Sequence, residues 1–356
     1  MRLKVLLIQE DLKNYRDPIY RLIAEQVDLT VAYTTSSEIR ESSYPIISLP
    51  YRKIGPIIWH KNLNNTIEKY DVIVFVPHFR MVRVATLPFF HRKQKLVTWS
   101  IGIHASYKKI YDLTKAPDTK DRIFELIQDR ADACVFYMPE PIQYWKKYKN
   151  IDTAKYFVAH NTVAIEEFDT SIERNRETIL FVGTLYQQKG IGELIECYAH
   201  AKEIVGKLPK LMIVGKGPEK ELIMTLVQKY GLQDDVELTG AIYDEKVLKD
   251  LFLRAIICVS PKQAGLTVLK SLGYGVPFVT RSNAISGGEK TNIINGETGL
   301  FYDSKEELIN ILSNTVKCPD SFSAMSDAAI RYYRTQASPQ IMAQGVIDAI
   351  YYAYNH

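Results

Sequence analysis

Three lysines and one glycine in the C-terminal half of the chain have the types and spacing to do chemistry. Residues 261–280 run Pro-Lys-Gln-Ala-Gly-Leu-Thr-Val-Leu-Lys-Ser-Leu-Gly-Tyr-Gly-Val-Pro-Phe-Val-Thr, directly after an apolar run at 255–259. This order predicts strand, tight loop, helix, turn and strand. Gly265 lets the loop approach a ligand closely. The start of the following helix offers unpaired N–H groups and the positive end of a dipole. Such a junction suits an anion, above all a phosphate. The backbone site at Ala264, Gly265, Leu266 and Thr267 needs no particular side chain. Lys262 and Lys270 frame it with ammonium groups, which only donate hydrogen bonds. A second loop, Gly183-Thr184 through Lys189-Gly190, also follows an apolar run. A fixed cation and N–H dipoles there would stabilise negative charge developing on a diphosphate. Gly215 and Gly217 suggest a dinucleotide fingerprint, but its third position is Lys220. A tight strand-to-helix turn is the better reading.

The N-terminal half offers proton-transfer candidates instead. His78 follows the apolar run 72–76 and Pro77, and His104 lies in the loop after Trp99. An unperturbed imidazole titrates near neutral pH and can give or take a proton there. Arg16, Arg80, Arg83, Lys108 and Lys109 follow or flank strand ends, with Trp59, Trp99, Tyr107 and Tyr111 nearby in sequence. That combination could hold a sugar face, a pyrophosphate-linked lipid or a membrane headgroup.

The elements that must position these residues alternate between strand and helix. Strands are predicted at 5–8, 29–33, 72–76, 96–99 and 133–137, with helices near 17–26, 62–70, 80–90, 121–129 and 141–147. Residues 160–177 turn polar and read as a linker. A second alternation follows, with strands at 178–182, 211–214, 236–238, 256–259, 278–280 and 299–301. Its helices fall near 190–202, 219–230, 245–254, 266–274 and 305–316, and two more close the chain at 319–333 and 338–354. Continuous apolar strands between helices argue parallel sheets covered on both faces. In such sheets ligands bind beyond the carboxyl ends of the strands.

The bulk numbers agree with two ordinary domains: 356 residues, 46% hydrophobic and 24% charged. No apolar run reaches the length of a membrane span, and the first apolar stretch is too short for a signal peptide. Cys134, Cys197, Cys258 and Cys318 are far apart, without metal or redox spacing, and read as reduced thiols. The net charge of +4 is uneven. Residues 1–160 hold 25 Lys and Arg against 17 Asp and Glu, a net of +8, whereas residues 161–356 net −4. The basic half suits an anionic membrane surface or an acidic substrate. No nucleic-acid-binding module is present, and none of that chemistry is expected.

Several segments, taken in order, resemble family 4 glycosyltransferases, which have the GT-B fold. They are residues 14–20 (Asn-Tyr-Arg-Asp-Pro-Ile-Tyr), 137–139 (Tyr-Met-Pro), 157–163 (Phe-Val-Ala-His-Asn-Thr-Val), 181–190 (Phe-Val-Gly-Thr-Leu-Tyr-Gln-Gln-Lys-Gly), 213–219 (Ile-Val-Gly-Lys-Gly-Pro-Glu), 261–280, Gly287-Gly288 and 295–300 (Asn-Gly-Glu-Thr-Gly-Leu). The resemblance spans nearly the whole chain. It implies an α/β, GT-B architecture of two doubly wound Rossmann-like domains facing across a cleft. Residues 1–160 would bind the acceptor, residues 161–337 the nucleotide sugar, and residues 338–356 would form a helix crossing back to the N-terminal domain.

The implied reaction is hexosyltransferase-like, metal-independent and without a cofactor. It moves a sugar, with retention, from a nucleotide diphosphate donor to a hydroxyl of a saccharide or lipid-linked saccharide. Cell-surface polysaccharide assembly would be the setting, in the cytoplasm or on the inner face of the membrane, with peripheral membrane contact. The family's Arg and Lys in the first loop correspond to Thr184 and Lys189. Its two glutamates, eight positions apart, correspond to Lys262 and Lys270. The first binds donor-sugar hydroxyls and the second ribose hydroxyls, so the chemistry at both ends is reversed in sign. The family's loop histidine aligns with Ile101, with His104 close behind.

The expected nucleotide-sugar site is therefore Gly183, Thr184, Lys189, Gly215, Lys262, Ala264, Gly265, Leu266, Thr267 and Lys270. The catalytic candidates are His104 and His78, and the acceptor ligands Arg16, Arg80 and Lys108. The departures at positions 184, 262, 270 and 101 also fit an alternative, a non-catalytic GT-B subunit that partners another transferase. An epimerase of the same fold would need a pair of cleft carboxylates, and none is evident.

Overall fold

The computed structural model of the protein describes residues 2–90, 93–104, 111–170 and 175–356. The chain divides into two compact units, residues 1–161 with 339–356, and residues 162–338. The first contains β1 (Lys4–Leu12), β2 (Asp28–Ser37), β3 (Ile46–Ser48), β4 (Tyr51–Ile54), β5 (Ile57–His60), β6 (Val72–Phe75), β7 (Lys95–Ser100), β8 (Ala133–Phe136) and β9 (Tyr156–Val158). Seven of these form one parallel sheet in the order β3-β2-β1-β6-β7-β8-β9. The second unit contains β10 (Thr178–Val182), β11 (Lys210–Val214), β12 (Val236–Gly240), β13 (Ala255–Val259), β14 (Phe278–Arg281) and β15 (Gly299–Tyr302). They form a parallel sheet in the order β12-β11-β10-β13-β14-β15. Both orders are doubly wound, as expected from the alternation in the sequence.

The central strands are parallel because they are apolar on both faces. Val5, Leu6, Leu7 and Ile8 of β1 are fully buried, as are all four residues of β6 and of β8. The helix Asp17–Gln26 carries Pro18 and Asp17 in its first turn and buries Ile19, Tyr20 and Ile23 against the first sheet. The helix Thr119–Asp129 starts with a capping box between Asp118 and Asp121. The final helix, Pro339–Asn355, packs in the first unit, with Met342, Val346, Ile347 and Ile350 in that core. Gly345 makes this contact possible, since a Cβ there would lie 2.2 Å from the carbonyl of Val158. No helix among the described residues is long and apolar enough to cross a membrane.

Among the local differences from the expected elements, two matter most here. Residues 80–90 do not make one helix but a single turn, Val82–Ala85, followed by a 3-10 turn, Leu87–Phe89. Pro88 disfavours helical geometry at Leu87. The second difference is a hairpin, β4 with β5, that the sequence pattern did not announce. Only Ile58 and His60 in it are buried, so it lacks the long apolar alternation that marks a strand.

His60 is fully buried, 3.0 Å from the Thr34 hydroxyl through Nε2. Burial, and then the nearby Arg83, lower its pKa from 6.5 to about 4. The unfolded chain therefore takes up this proton first as pH falls. Stability from a neutral His60 is complete above about pH 6.5 and is lost between about 6.5 and 4. At most about 3 kcal/mol is involved. Urea unfolding midpoints should fall less between pH 7.5 and 5 in His60→Gln than in the wild type. Equal slopes would assign the acid sensitivity to other groups.

Candidate functional site

Each sheet has a point where the strand order reverses, between β1 and β6 and between β10 and β13. Both sets of candidate residues gather beyond the carboxyl ends of those pairs, where open parallel sheets bind ligands.

In the second unit, β10 leads into Gly183, exposed Thr184 and a 3-10 turn, Gln187–Lys189. Lys189 is only 8% exposed. Its Nζ lies 3.5 Å from where a Cβ on Gly183 would stand, so the ammonium rests against the loop backbone. Burial lowers its pKa below the usual lysine value, while Cys258 and the Glu289 carboxylate oppose that shift. The Lys189 carbonyl accepts from the Lys262 amide at 3.2 Å, which joins this loop to the one after β13.

That second loop is an extension of the sheet as far as Ala264. The Lys262 carbonyl accepts from the Ile285 amide (2.8 Å), and the Ala264 amide donates to the Ile285 carbonyl (2.9 Å). The Ala264 N–H is therefore occupied, against the expectation that it would help to hold an anion. The amides of Gly265 and Leu266 have no hydrogen-bond partner among the described residues. A Cβ on Gly265 would meet nothing within 4 Å. Thr267 opens the helix Thr267–Gly273, and its hydroxyl reaches the Val182 carbonyl at 3.4 Å.

Lys262 and Lys270, at the two ends of this stretch, differ in environment. Lys270 pairs with Glu245 at 2.5 Å. Lys262 is exposed, with its stem against Gly190, and its ammonium has no partner among the described residues. Gly215 and Gly217 serve backbone packing. A Cβ on either would lie 1.9 Å from the Gly183 carbonyl or 2.2 Å from the Leu185 carbonyl. The two loops are joined there by Gly183 N–H to Val214 and Leu185 N–H to Lys216.

In the first unit, a cavity of about 420 Å³ opens at the ends of β6, β7 and β8. His78, His104, Arg80, Trp99 and Tyr137 line it. The His104 ring stacks on Phe79 (centroids 5.1 Å apart), and its amide donates to Asp121. His78 lies 3.2 Å from Glu10, and Arg80 lies 3.0 Å from the other oxygen of the same carboxylate. Burial lowers the pKa of His78, Glu10 raises it and Arg80 lowers it again.

Arg16, one of the expected acceptor ligands, makes its contacts within the protein. It is buried, donates to Asn161 (2.8 Å) and Tyr137 (3.2 Å), and packs over the Tyr15, Trp99 and Tyr137 rings. It braces the wall of the cavity from behind. Lys108 lies outside the described residues.

Two carboxylates escaped the sequence reading. Glu10 stands at the polar end of β1, and its meaning depends on residues about 70 positions away. Glu289 directly follows Gly287-Gly288 and is 9% exposed, accepting from the Gly287 amide at 2.9 Å. Its place after the paired glycines was the available signal.

Comparison with known proteins bears on the fold and on the second unit. Residues 163–332 match the family model "Glycosyl transferases group 1". Alpha-monoglucosyldiacylglycerol synthase of Acholeplasma laidlawii is 23% identical over 234 residues, 64% of this chain and 55% of that protein. The chain thus spans about half the length of this curated relative. Among solved structures, WaaG, a glycosyltransferase involved in lipopolysaccharide biosynthesis, superposes with a TM-score of 0.63 at 16% identity, over 97% of this chain and 99% of that one. Anabaena HepE in complex with UDP gives 0.67 at 14% identity, over 98% and 100%. These structures share the fold. The protein has the GT-B fold, and its residues 163–332 resemble the glycosyl transferases group 1.

Proposed function

We propose that the protein transfers a hexose-like sugar, with retention and without a metal, from a nucleoside diphosphate donor to a hydroxyl of a saccharide or lipid-linked saccharide. The reading rests on one observation above all. A buried ammonium, Lys189, and two unoccupied amides, Gly265 and Leu266, stand on two joined loops at the β10/β13 switch point. A fixed cation with fixed N–H dipoles offers a leaving diphosphate charge stabilisation that needs no reorganisation. HepE is a neighbour in fold whose structure holds UDP, which favours a uridine diphosphate as first probe. The relative that acts in glycolipid synthesis favours a lipid-linked acceptor. His78 and His104 face the first unit's cavity, and we assign proton transfer or sugar contact to them, with Arg80 and Glu10 orienting His78.

Gly265→Val tests the site. Because nothing crowds Gly265, the substitution should leave folding stability within about 0.5 kcal/mol. It should weaken UDP binding by about tenfold or more in calorimetry, about 1.4 kcal/mol. Unchanged UDP affinity would remove this loop from the donor site.

The pairing of Lys270 with Glu245 favours a second reading, a non-catalytic subunit that partners another transferase, because that cation is already neutralised within the protein. A ligand bound only by the folded state raises thermal stability. Stabilisation by a nucleoside diphosphate supports the enzyme; no shift with any nucleotide or nucleotide sugar supports the subunit.

A further inference from the structure

We propose that the hairpin Tyr51–His60 seats the first unit on an anionic lipid bilayer. Cross-strand pairing puts Arg52 beside Trp59 and Ile54 beside Ile57 on one face, and Tyr51 beside His60 and Lys53 beside Ile58 on the other. Ile58 and His60 are buried against the body of the unit. The opposite face is open to solvent, with the Arg83 guanidinium over the Trp59 ring (5.9 Å): Ile54 is 53% exposed, Trp59 47% and Ile57 39%. Gly55 and Pro56 form an exposed turn between the two isoleucines. A hairpin of two four-residue strands gains little from leaving such residues in water, since isolated two-stranded ribbons are marginal.

The charges on this element name the occupant. No Asp or Glu occurs from residue 42 to residue 67, whereas Arg52, Lys53 and Lys61 do. None of the three cations has an acidic partner among the described residues. An apolar tip with a tryptophan and Arg52 on the same face, and with Lys53 and Lys61 close in sequence, complements the headgroup and acyl boundary of an anionic membrane.

The hairpin is also tied to the cavity. Arg80 donates from Nε to the Pro56 carbonyl (3.2 Å) and pairs through Nη1 with Glu10, the carboxylate that faces His78. The Ile58 amide donates to the Arg80 carbonyl at 2.7 Å. A membrane held by the hairpin would thus lie beside the pocket that we assign to the acceptor. This last link rests on the proposed function, whereas the membrane contact does not.

Tryptophan fluorescence tests the contact without any catalysis. Of the three tryptophans, Trp99 and Trp145 are 1% and 2% exposed, so a change on adding vesicles reports Trp59. Vesicles containing phosphatidylglycerol should shift the emission to the blue, brominated lipid should quench it, and high salt should reverse both. Pure phosphatidylcholine vesicles should do much less. Ile54→Asp and the pair Arg52→Glu, Lys53→Glu should each weaken vesicle flotation by about tenfold or more. The exposed control Lys317→Glu should not. Absent binding to anionic vesicles, or equal binding by Ile54→Asp, overturns the proposal. So does a dimer in sedimentation equilibrium that Ile54→Asp dissociates, which would assign the face to a second copy of the chain.

Discussion

Lys189→Met is expected to lower kcat/KM for sugar transfer by about 100- to 1,000-fold, the range seen when one preorganised charge-stabilising donor is removed from an active site. The magnitude follows from burial. An exposed lysine is screened by water, whereas Lys189 lies in the loop with its ammonium against Gly183. Charge developing on the leaving diphosphate would meet it in a medium of low polarity, where the interaction is stronger. Methionine keeps the apolar stem and much of the volume, so the folded state should persist. Burial disfavours the charged form of this lysine, so its removal also relieves a desolvation cost. Steady-state kinetics with a nucleotide-sugar donor, alongside urea unfolding, separates the two effects. Near-normal kcat/KM with unchanged stability would show that Lys189 has no part in leaving-group stabilisation.

Lys262→Glu is the second large effect, an expected 10- to 150-fold loss of donor affinity. A charge-assisted contact to a bound group is worth about 1.5–3 kcal/mol, which corresponds to that range. The structure separates this residue from its counterpart. On the loop that carries Gly265, the Lys262 ammonium has no partner among the described residues, whereas Lys270 is engaged with Glu245. Lys270→Glu should instead act on stability. It places two carboxylates together and should cost about 1 kcal/mol, the upper end for a partly exposed pair. Adding Glu245→Lys should restore most of that loss, because the pair is then re-formed with reversed signs. Donor affinity measured by calorimetry for each single variant decides the assignment. If Lys262→Glu binds the donor as the wild type does, the lysine is a surface residue and the non-catalytic reading gains.

The contrast between these lysines shows how far the chain could be read without its structure. Val5–Ile8, Val72–Phe75 and Ala133–Phe136 are apolar without interruption, and only a strand buried on both faces tolerates that. Their alternation with helices was enough to derive two doubly wound parallel sheets. The loops at Gly183–Gly190 and Pro261–Leu266 were legible for the same local reason: each follows an apolar strand, contains glycine and precedes a helix.

Tertiary structure alone decided which side chains meet. Glu10 reaches His78 and Arg80 because β6 pairs with β1 across some 70 residues of chain. Glu245 neutralises Lys270 because helix packing brings together positions 25 apart. Arg16 sinks among aromatic rings and binds Asn161, a residue 145 positions away in sequence. The hairpin Tyr51–His60 lay hidden because only Ile58 and His60 in it are buried, too few to mark an alternating strand. Strand and helix periodicity arises from neighbours a few residues apart, so sequence carries it. Ion pairs and exposed faces depend on long-range strand order and packing, which no local spacing encodes.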